Sequence, residues 1–132
     1  MPSDCISYQE SGYFTPLMVD YLNQSATVQS LYNNFPNFEG FRAQITQKQH
    51  NFPIENRAVL VEELKKQYSH LNASESLKNI ELLADKNTFT ITTGHQLNLF
   101  TGPLYFLYKI ITAINLCKEL KEQFPEQNFI PI

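Results

Sequence analysis

The sequence predicts an α/β chain, with helices over residues 1–83 and then the first strand–helix–strand unit of a parallel sheet over residues 84–132. Three observations carry this prediction. Thr alternates with apolar residues over 88–93, which indicates a strand. A long apolar helix is predicted over about 103–122, and a second short apolar run follows at 128–132. A strand, a helix and a strand in so short a stretch favour a right-handed crossover between parallel strands.

Composition bounds the class of protein. The chain has 132 residues, of which 42% are hydrophobic, and a formal net charge of -3, which is typical of a globular domain. It has no Lys/Arg run, so we expect neither nucleic acid nor a membrane as a partner. The first residues do not resemble a signal peptide. Cys5 and Cys117 lie far apart, which favours free thiols. We therefore expect a soluble cytoplasmic protein without a metal site.

The segment before residue 84 is predicted to form short helices that are separated by aromatic-rich joints. Pro16 fits the first turn of one helix. Asn37 fits the cap of another that runs to about Gln49. Apolar residues at helical spacing predict a third helix over 55–68. Ser74 is predicted to be the N-cap of a fourth helix, without the acidic partner of a capping box.

The stretch between the predicted strand and the long helix, residues 90–105, is the most informative part of the chain. A strand, a polar loop and a helix N-terminus in that order form anion sites in α/β proteins. Gly94 is predicted to let the backbone turn sharply at the strand end and to let a ligand approach it. Gly102 and Pro103 fit the start of a helix, whose free N–H groups and dipole favour a phosphate or a carboxylate.

Polar side chains around this stretch are the candidate ligand-binding groups. His95 can donate to an anion, transfer a proton or only tie the loop to the core, and Thr101 can cap the helix or bind the ligand. Lys109 follows Gly102 by two helical turns, and helix side chains tilt toward the N-terminus, so its ammonium can reach an anion there. Alternatively, Lys109 extends into solvent or pairs with a carboxylate. The full candidate set is Thr93, Gly94, His95, Gln96, Asn98, Thr101, Gly102 and Lys109.

The first three turns of the long helix are apolar almost all round, which predicts a buried helix. Tyr105, Phe106 and Tyr108 are interpreted as core residues and not as a platform for base stacking. The chain ends on the second predicted strand, so we also expect apolar surface to remain exposed on this helix. By spacing alone, the sequence predicts an anion site in an α/β sheet and leaves the reaction open.

The run TTGHQLNLFTGPLYFLYK at 92–109 closely resembles the family of the bacillithiol biosynthesis cysteine-adding enzyme, BshC. SGYF at 11–14, FEGF at 38–41 and NFIPI at 128–132 resemble the same family in the same order. The resemblance covers essentially the whole chain, and the 92–109 run is specific.

The resemblance implies a Rossmann-like core, of which this chain is the incomplete N-terminal part, and a coiled-coil region that makes the full-length protein a homodimer. It implies a ligase that adds cysteine to glucosaminyl-malate in the last step of bacillithiol biosynthesis, with an adenine nucleotide (ATP or ADP) as cofactor. Family members carry an acidic, His-containing motif after the strand that matches 128–132, so we expect residues 1–132 alone to be inactive. Many relatives have Gln at the position of His95, which favours a binding role for His95 over general-base catalysis.

Two alternatives remain open at this point. One is a nucleotidylyltransferase-like enzyme, although such an enzyme usually has a paired His motif at the helix start, and Gly102-Pro103-Leu104-Tyr105 contains none. The other is a non-catalytic helical interaction domain, for which we expect ligand-independent melting.

Overall fold

A computed structural model of the chain describes residues 4–100 and 102–132. One compact unit ends at Ala43, and the second comprises Gln44–Ile132. The boundary predicted between residues 83 and 84 stays a prediction. The elements are α1 (Tyr8–Ser11), α2 (Pro16–Leu22), a 3-10 turn (Gln29–Leu31), α3 (Phe38–Asn51), α4 (Ile54–Tyr68), α5 (Ser74–Leu82), β1 (Thr88–Ile91), α6 (Leu104–Gln123) and β2 (Asn128–Pro131).

The first unit is built on the start of α2 and on an aromatic cluster. Pro16 occupies the first turn of α2, as predicted, and the Thr15 hydroxyl caps that helix. The ring of Tyr21 lies 5.1 Å from that of Tyr32 and 5.3 Å from that of Phe35. These tilted and edge-on contacts are the geometry that aromatic pairs prefer, and they pack α2 against Tyr32 and Phe35.

Of the two helix caps predicted for α3 and α5, the structure confirms only the first. The Asn37 side chain accepts a hydrogen bond of 2.8 Å from the Gly40 N–H at the start of α3, as predicted. The prediction that Ser74 caps α5 is wrong. Ala73 is the N-cap, and no side chain caps the helix there. Ser74 instead begins the helix, a shift of one residue that propensities do not resolve.

The strand–helix–strand prediction is confirmed. β1 and β2 pair in parallel, with Thr88 opposite Asn128 and Ile91 opposite Pro131. The pairing extends to the Thr93 N–H, which donates to the Ile132 carbonyl at 2.8 Å. α6 packs on both strands, and one stripe of it is buried at Ala113, Cys117 and Leu120. The carboxyl end of β1 therefore lies at the same edge of the sheet as the start of α6.

The opposite side of α6 is not buried in this chain, so the prediction of a helix buried all round is wrong here. Leu104, Leu107 and Ile111 are exposed, at 63%, 43% and 51% of their surface. The expectation that apolar surface remains exposed on this helix is confirmed. The helix thus carries more apolar surface than the two strands of this chain can cover.

Arg57 is a buried cation that the sequence did not single out. Only 6% of its surface is exposed, and its guanidinium donates to the Leu83 carbonyl at 3.0 Å and to the Lys86 carbonyl at 3.5 Å. Burial lowers the pKa of Arg57, and the charge of Asp85 partly offsets that effect. Arg57 therefore satisfies backbone carbonyls that follow α5 and fixes the turn that leads into β1.

We expect Arg57→Met to lower the free energy of unfolding by about 1–3 kcal/mol, because the buried Leu83 carbonyl loses its donor. Urea denaturation measures this change. Lys78→Met is the control, since the ion pair of Lys78 with Glu75 is exposed, and exposed ion pairs contribute little to stability. Equal midpoints for the two variants would contradict the role assigned to Arg57.

Candidate functional site

The candidate site lies where the chain leaves β1 and enters α6. The helix begins at Leu104, and Pro103 is its N-cap, one residue later than predicted. Proline has no side-chain acceptor, and no side chain caps α6 from that position. The Phe106 N–H donates to the Pro103 carbonyl at 2.9 Å, whereas the N–H groups of Leu104 and Tyr105 have no acceptor within the helix. The predicted role of Thr101 falls on a residue outside the described part of the chain.

Lys109 brings a positive charge to this edge of the sheet. From the second turn of α6, its ammonium donates to the Gly94 carbonyl, so the side chain reaches back toward the N-terminus as the tilt predicts. In the described part of the chain no carboxylate pairs with Lys109. An ammonium has three N–H donors, and the Gly94 carbonyl uses one. The other two are available to an anion.

The sequence around Lys109 contains no competing acidic group. No Asp or Glu occurs over residues 88–116, which include the strand end, the loop and more than half of α6. Within this stretch, the ammonium and the positive end of the helix dipole both favour an anion.

The two glycines of the loop have different roles from those predicted. Gly102 has a φ of +67°, and an added Cβ would lie 2.8 Å from Cβ and Cγ of Asn98. Gly94 has no positive φ, and the backbone over 92–98 contains neither a turn nor a bend, so the sharp turn predicted there is wrong. An added Cβ at Gly94 would meet nothing within 4 Å. The positive φ and the contact with Asn98 therefore require a glycine at position 102. Gly94 instead leaves open space beside the carbonyl that Lys109 binds.

We expect Gly102→Ala to lower the free energy of unfolding by about 1–3 kcal/mol, through left-handed strain and the contact with Asn98. Gly94→Ala is the matched control, and we expect it to stay within about 0.5 kcal/mol of the parent chain. Urea unfolding of both variants measures the difference. The account of the loop is wrong if Gly94→Ala is the more destabilised of the two.

His95, Gln96 and Asn98 form a compact polar group within the loop. The Asn98 side-chain nitrogen lies 2.6 Å from Nδ1 of His95 and 2.8 Å from the Gln96 carbonyl oxygen. Nδ1 of His95 lies 2.8 Å from the same carbonyl oxygen. Gln96 takes part through its backbone, and its side chain is exposed. The structure therefore brings His95 and Asn98 together near Gly94 and Lys109, and it leaves the Gln96 side chain outside this group.

Tyr105 and Phe106 are neighbours of the site that the sequence analysis missed. Each ring centroid lies 5.0 Å from that of His95. Tyr105 and Tyr108 are 56% and 61% exposed, so the interpretation of these two as core residues is wrong in this chain. The position of Tyr105 in the first turn of α6, two residues after Pro103, is the signal that could have placed it beside the loop.

Residues 4–100 and 102–132 contain neither a candidate membrane span nor a candidate metal cluster. No helix there is long and apolar enough to cross a membrane. The His, Cys, Asp and Glu side chains of this part of the chain do not gather in any group of three that could hold a metal ion.

The chain is similar to one known protein family over its whole length. A family model described as the N-terminal Rossmann-like domain of the bacillithiol biosynthesis protein BshC matches residues 1–132. The chain belongs to this BshC family. The Rossmann-like fold expected from the resemblance is thereby shown, and the single parallel strand pair with its crossover helix is consistent with it.

Curated relatives in the BshC family are named "Putative cysteine ligase BshC". The chain is 61% identical to the protein of Flavobacterium psychrophilum and 62% identical to that of Flavobacterium johnsoniae, over 100% of this chain and 25% of each relative. It is 34% identical to the Bacillus cytotoxicus protein, over 86% of this chain and 21% of that relative. The chain thus spans about a quarter of the length of these relatives. No solved structure matches the chain significantly.

Proposed function

We propose that the protein containing this chain is a ligase that adds cysteine to glucosaminyl-malate in the last step of bacillithiol biosynthesis. The names of the relatives support the addition of cysteine, and the family supports the pathway. The proposed location is the cytoplasm and the proposed assembly is a homodimer of the full-length protein.

One observation carries the part of the proposal that concerns this chain. The Lys109 ammonium lies on the Gly94 carbonyl at the carboxyl edge of the strands, in a stretch without acidic residues. Each proposed substrate or cofactor carries an anionic group: cysteine and glucosaminyl-malate carry carboxylates, and a nucleotide carries phosphates. We infer that Lys109 and the N-terminus of α6 bind one such anionic group, with Thr93, Gly94, His95, Asn98 and Gly102 lining the site.

The bond to be formed sets what the site must do. Joining the cysteine carboxyl to the amino group of glucosamine makes an amide and releases water. A carboxylate is a poor electrophile, so this condensation needs an activated carboxyl. The proposed role of the residues in this chain is to hold an anionic group in place through hydrogen bonds, which positions the reactants for the condensation. We assign no general base among them.

An adenine nucleotide, when bound, would supply the phosphate that activates the carboxyl. The donor set fits a phosphate group, because an ammonium and unpaired helix N–H groups are the usual phosphate partners. Lys109 and the first turn of α6 would hold it.

Product formation tests the proposal. Purified full-length protein is incubated with cysteine and glucosaminyl-malate, with and without ATP, and the product is detected by mass spectrometry. We expect the cysteine adduct with full-length protein and none with residues 1–132. Absence of the adduct under all conditions would contradict the ligase proposal. Melting temperatures that no substrate or nucleotide changes would favour an interaction domain instead.

A further inference from the structure

The first three turns of α6 carry an apolar stripe that stays exposed in the described part of the chain. The members of this outer stripe are Leu104, Leu107, Ile111 and Ile114. Between 38% and 63% of the surface of each residue is exposed. They follow one another at steps of three, four and three residues, which is the spacing at which one helix packs along another.

The direction of the outer stripe excludes the sheet as its partner. α6 packs on β1 and β2, and Ala113 belongs to its buried side. Because successive helix residues are turned by about 100°, Ile111 and Leu104 point roughly 160° and 180° away from Ala113. Any further strand of this sheet would extend the layer beneath α6 and could not reach the outer stripe. Covering the stripe therefore requires an element on the far side of α6.

We propose that a helix from the part of the full-length protein outside residues 1–132 packs lengthwise on the outer stripe. The spacing of the stripe is that of a helix–helix seam, and the seam extends over about 15 Å, which is three turns. The chain spans 25% of the relatives from Flavobacterium psychrophilum and Flavobacterium johnsoniae, which leaves 75% of such a protein to supply the helix.

The size of the outer stripe favours the same polypeptide over a second copy of the chain as the source of this helix. A stable association between separate proteins uses roughly 20–30 residues on each side, whereas the stripe consists of four side chains. Separate chains also lose translational and rotational freedom when they associate. Segments of one polypeptide are already held at a high effective concentration, so a small apolar contact is sufficient to keep them together.

The outer stripe lies on the half of α6 that begins at the candidate site. Leu104 is the first residue of the helix, and Leu97 and Leu99, in the loop that leads into it, are also exposed. Further along the same side, α6 is polar, with Lys118 and Glu122 exposed. The covering helix therefore lies beside the loop and forms an outer wall next to the candidate site. This inference goes beyond the proposed function, because it requires neither a substrate nor a reaction.

Thiol labelling of the full-length protein tests whether the outer stripe is covered. Ile111→Cys places a thiol in the stripe, and Glu122→Cys is the matched control on the same side of α6, three turns further along. The protein is treated with a maleimide, and fragment-ion mass spectrometry gives the labelling rate at position 111 or 122. We expect roughly tenfold slower labelling at position 111, because its thiol reacts only when the packing opens locally. Equal rates in the native protein would overturn the proposal.

A photo-cross-link identifies the covering element. Tyr108→p-benzoylphenylalanine places the cross-linker beside the outer stripe, at a position that is 61% exposed, and leaves the stripe intact. The same replacement at Glu122 is the control and should give no such cross-link. We expect a product with the mass of one polypeptide, linked to a segment outside residues 1–132 whose apolar residues recur at helical spacing. A product of doubled mass, a link within residues 1–132 or no link at all would each overturn the proposal. Neither measurement uses a substrate or a nucleotide, so both outcomes are independent of the ligase proposal.

Discussion

Lys109→Met in the full-length protein is expected to bind glucosaminyl-malate roughly 10–100-fold more weakly than the parent. The ammonium contributes a charge-assisted hydrogen bond to an anion, and losing such a bond costs about 1.5–3 kcal/mol. Methionine keeps the length and the packing of the apolar stem. Isothermal titration calorimetry measures the affinity directly.

The control for this variant is Lys118→Met. Lys118 lies on the same helix and is exposed, so this change removes an equal charge far along α6 from its N-terminus. We expect the affinity of Lys118→Met to stay within about threefold of the parent. The stability of Lys109→Met should fall by only about 1 kcal/mol, for the lost bond to the Gly94 carbonyl. Unchanged affinity with a large fall in melting temperature would make Lys109 a structural residue.

Gly40→Ala is expected to destabilise the chain by roughly 3 kcal/mol, although helix propensity alone predicts a gain of about 1 kcal/mol for this change. Gly40 lies in the first turn of α3. An added Cβ would overlap the Phe35 carbonyl oxygen and would lie 3.1 Å from the Phe35 carbonyl carbon. These are backbone atoms, so the conflict cannot be relieved by turning a side chain.

The turn before α3 also holds the backbone of Gly40, because the Gly40 N–H donates to the Asn37 side-chain oxygen at 2.8 Å. Moving the backbone to admit a methyl group would therefore break the helix cap as well. Gly94→Ala, where the new methyl group meets nothing within 4 Å, is the matched control. The midpoints of urea unfolding measure the stability of the Gly40→Ala and Gly94→Ala variants. A Gly40→Ala chain as stable as the parent would contradict the close contact with Phe35.

Periodicity and local signals predicted much of the fold. Alternation in 88–93 identified β1, and the order strand, helix, strand predicted parallel pairing, because the crossover rule leaves few alternatives. Pro16 and Asn37 marked helix starts through their own chemistry, which acts locally. Strand alternation and helix caps depend on residues that are close in sequence, so they can be predicted from the sequence alone.

The features that the sequence did not predict depend on distant neighbours. Whether Gly94 or Gly102 adopts a positive φ depends on the path of the whole loop, and composition does not distinguish two glycines. Arg57 is buried because carbonyls that follow α5 come to lie beside it. The apolar pattern of α6 predicts a core position for Tyr105, because apolar helices are usually covered on several sides. In this chain the Tyr105 ring is exposed and lies beside the ring of His95.

The crystal structure of the full-length protein with glucosaminyl-malate bound tests the central claim most directly. The claim is that the loop after β1 and the start of α6 hold an anionic group of the substrate. We expect a carboxylate oxygen roughly 3 Å from Nζ of Lys109 and a second oxygen acceptor near the His95 ring. A substrate bound elsewhere, with Lys109 still on the Gly94 carbonyl alone, would contradict the claim.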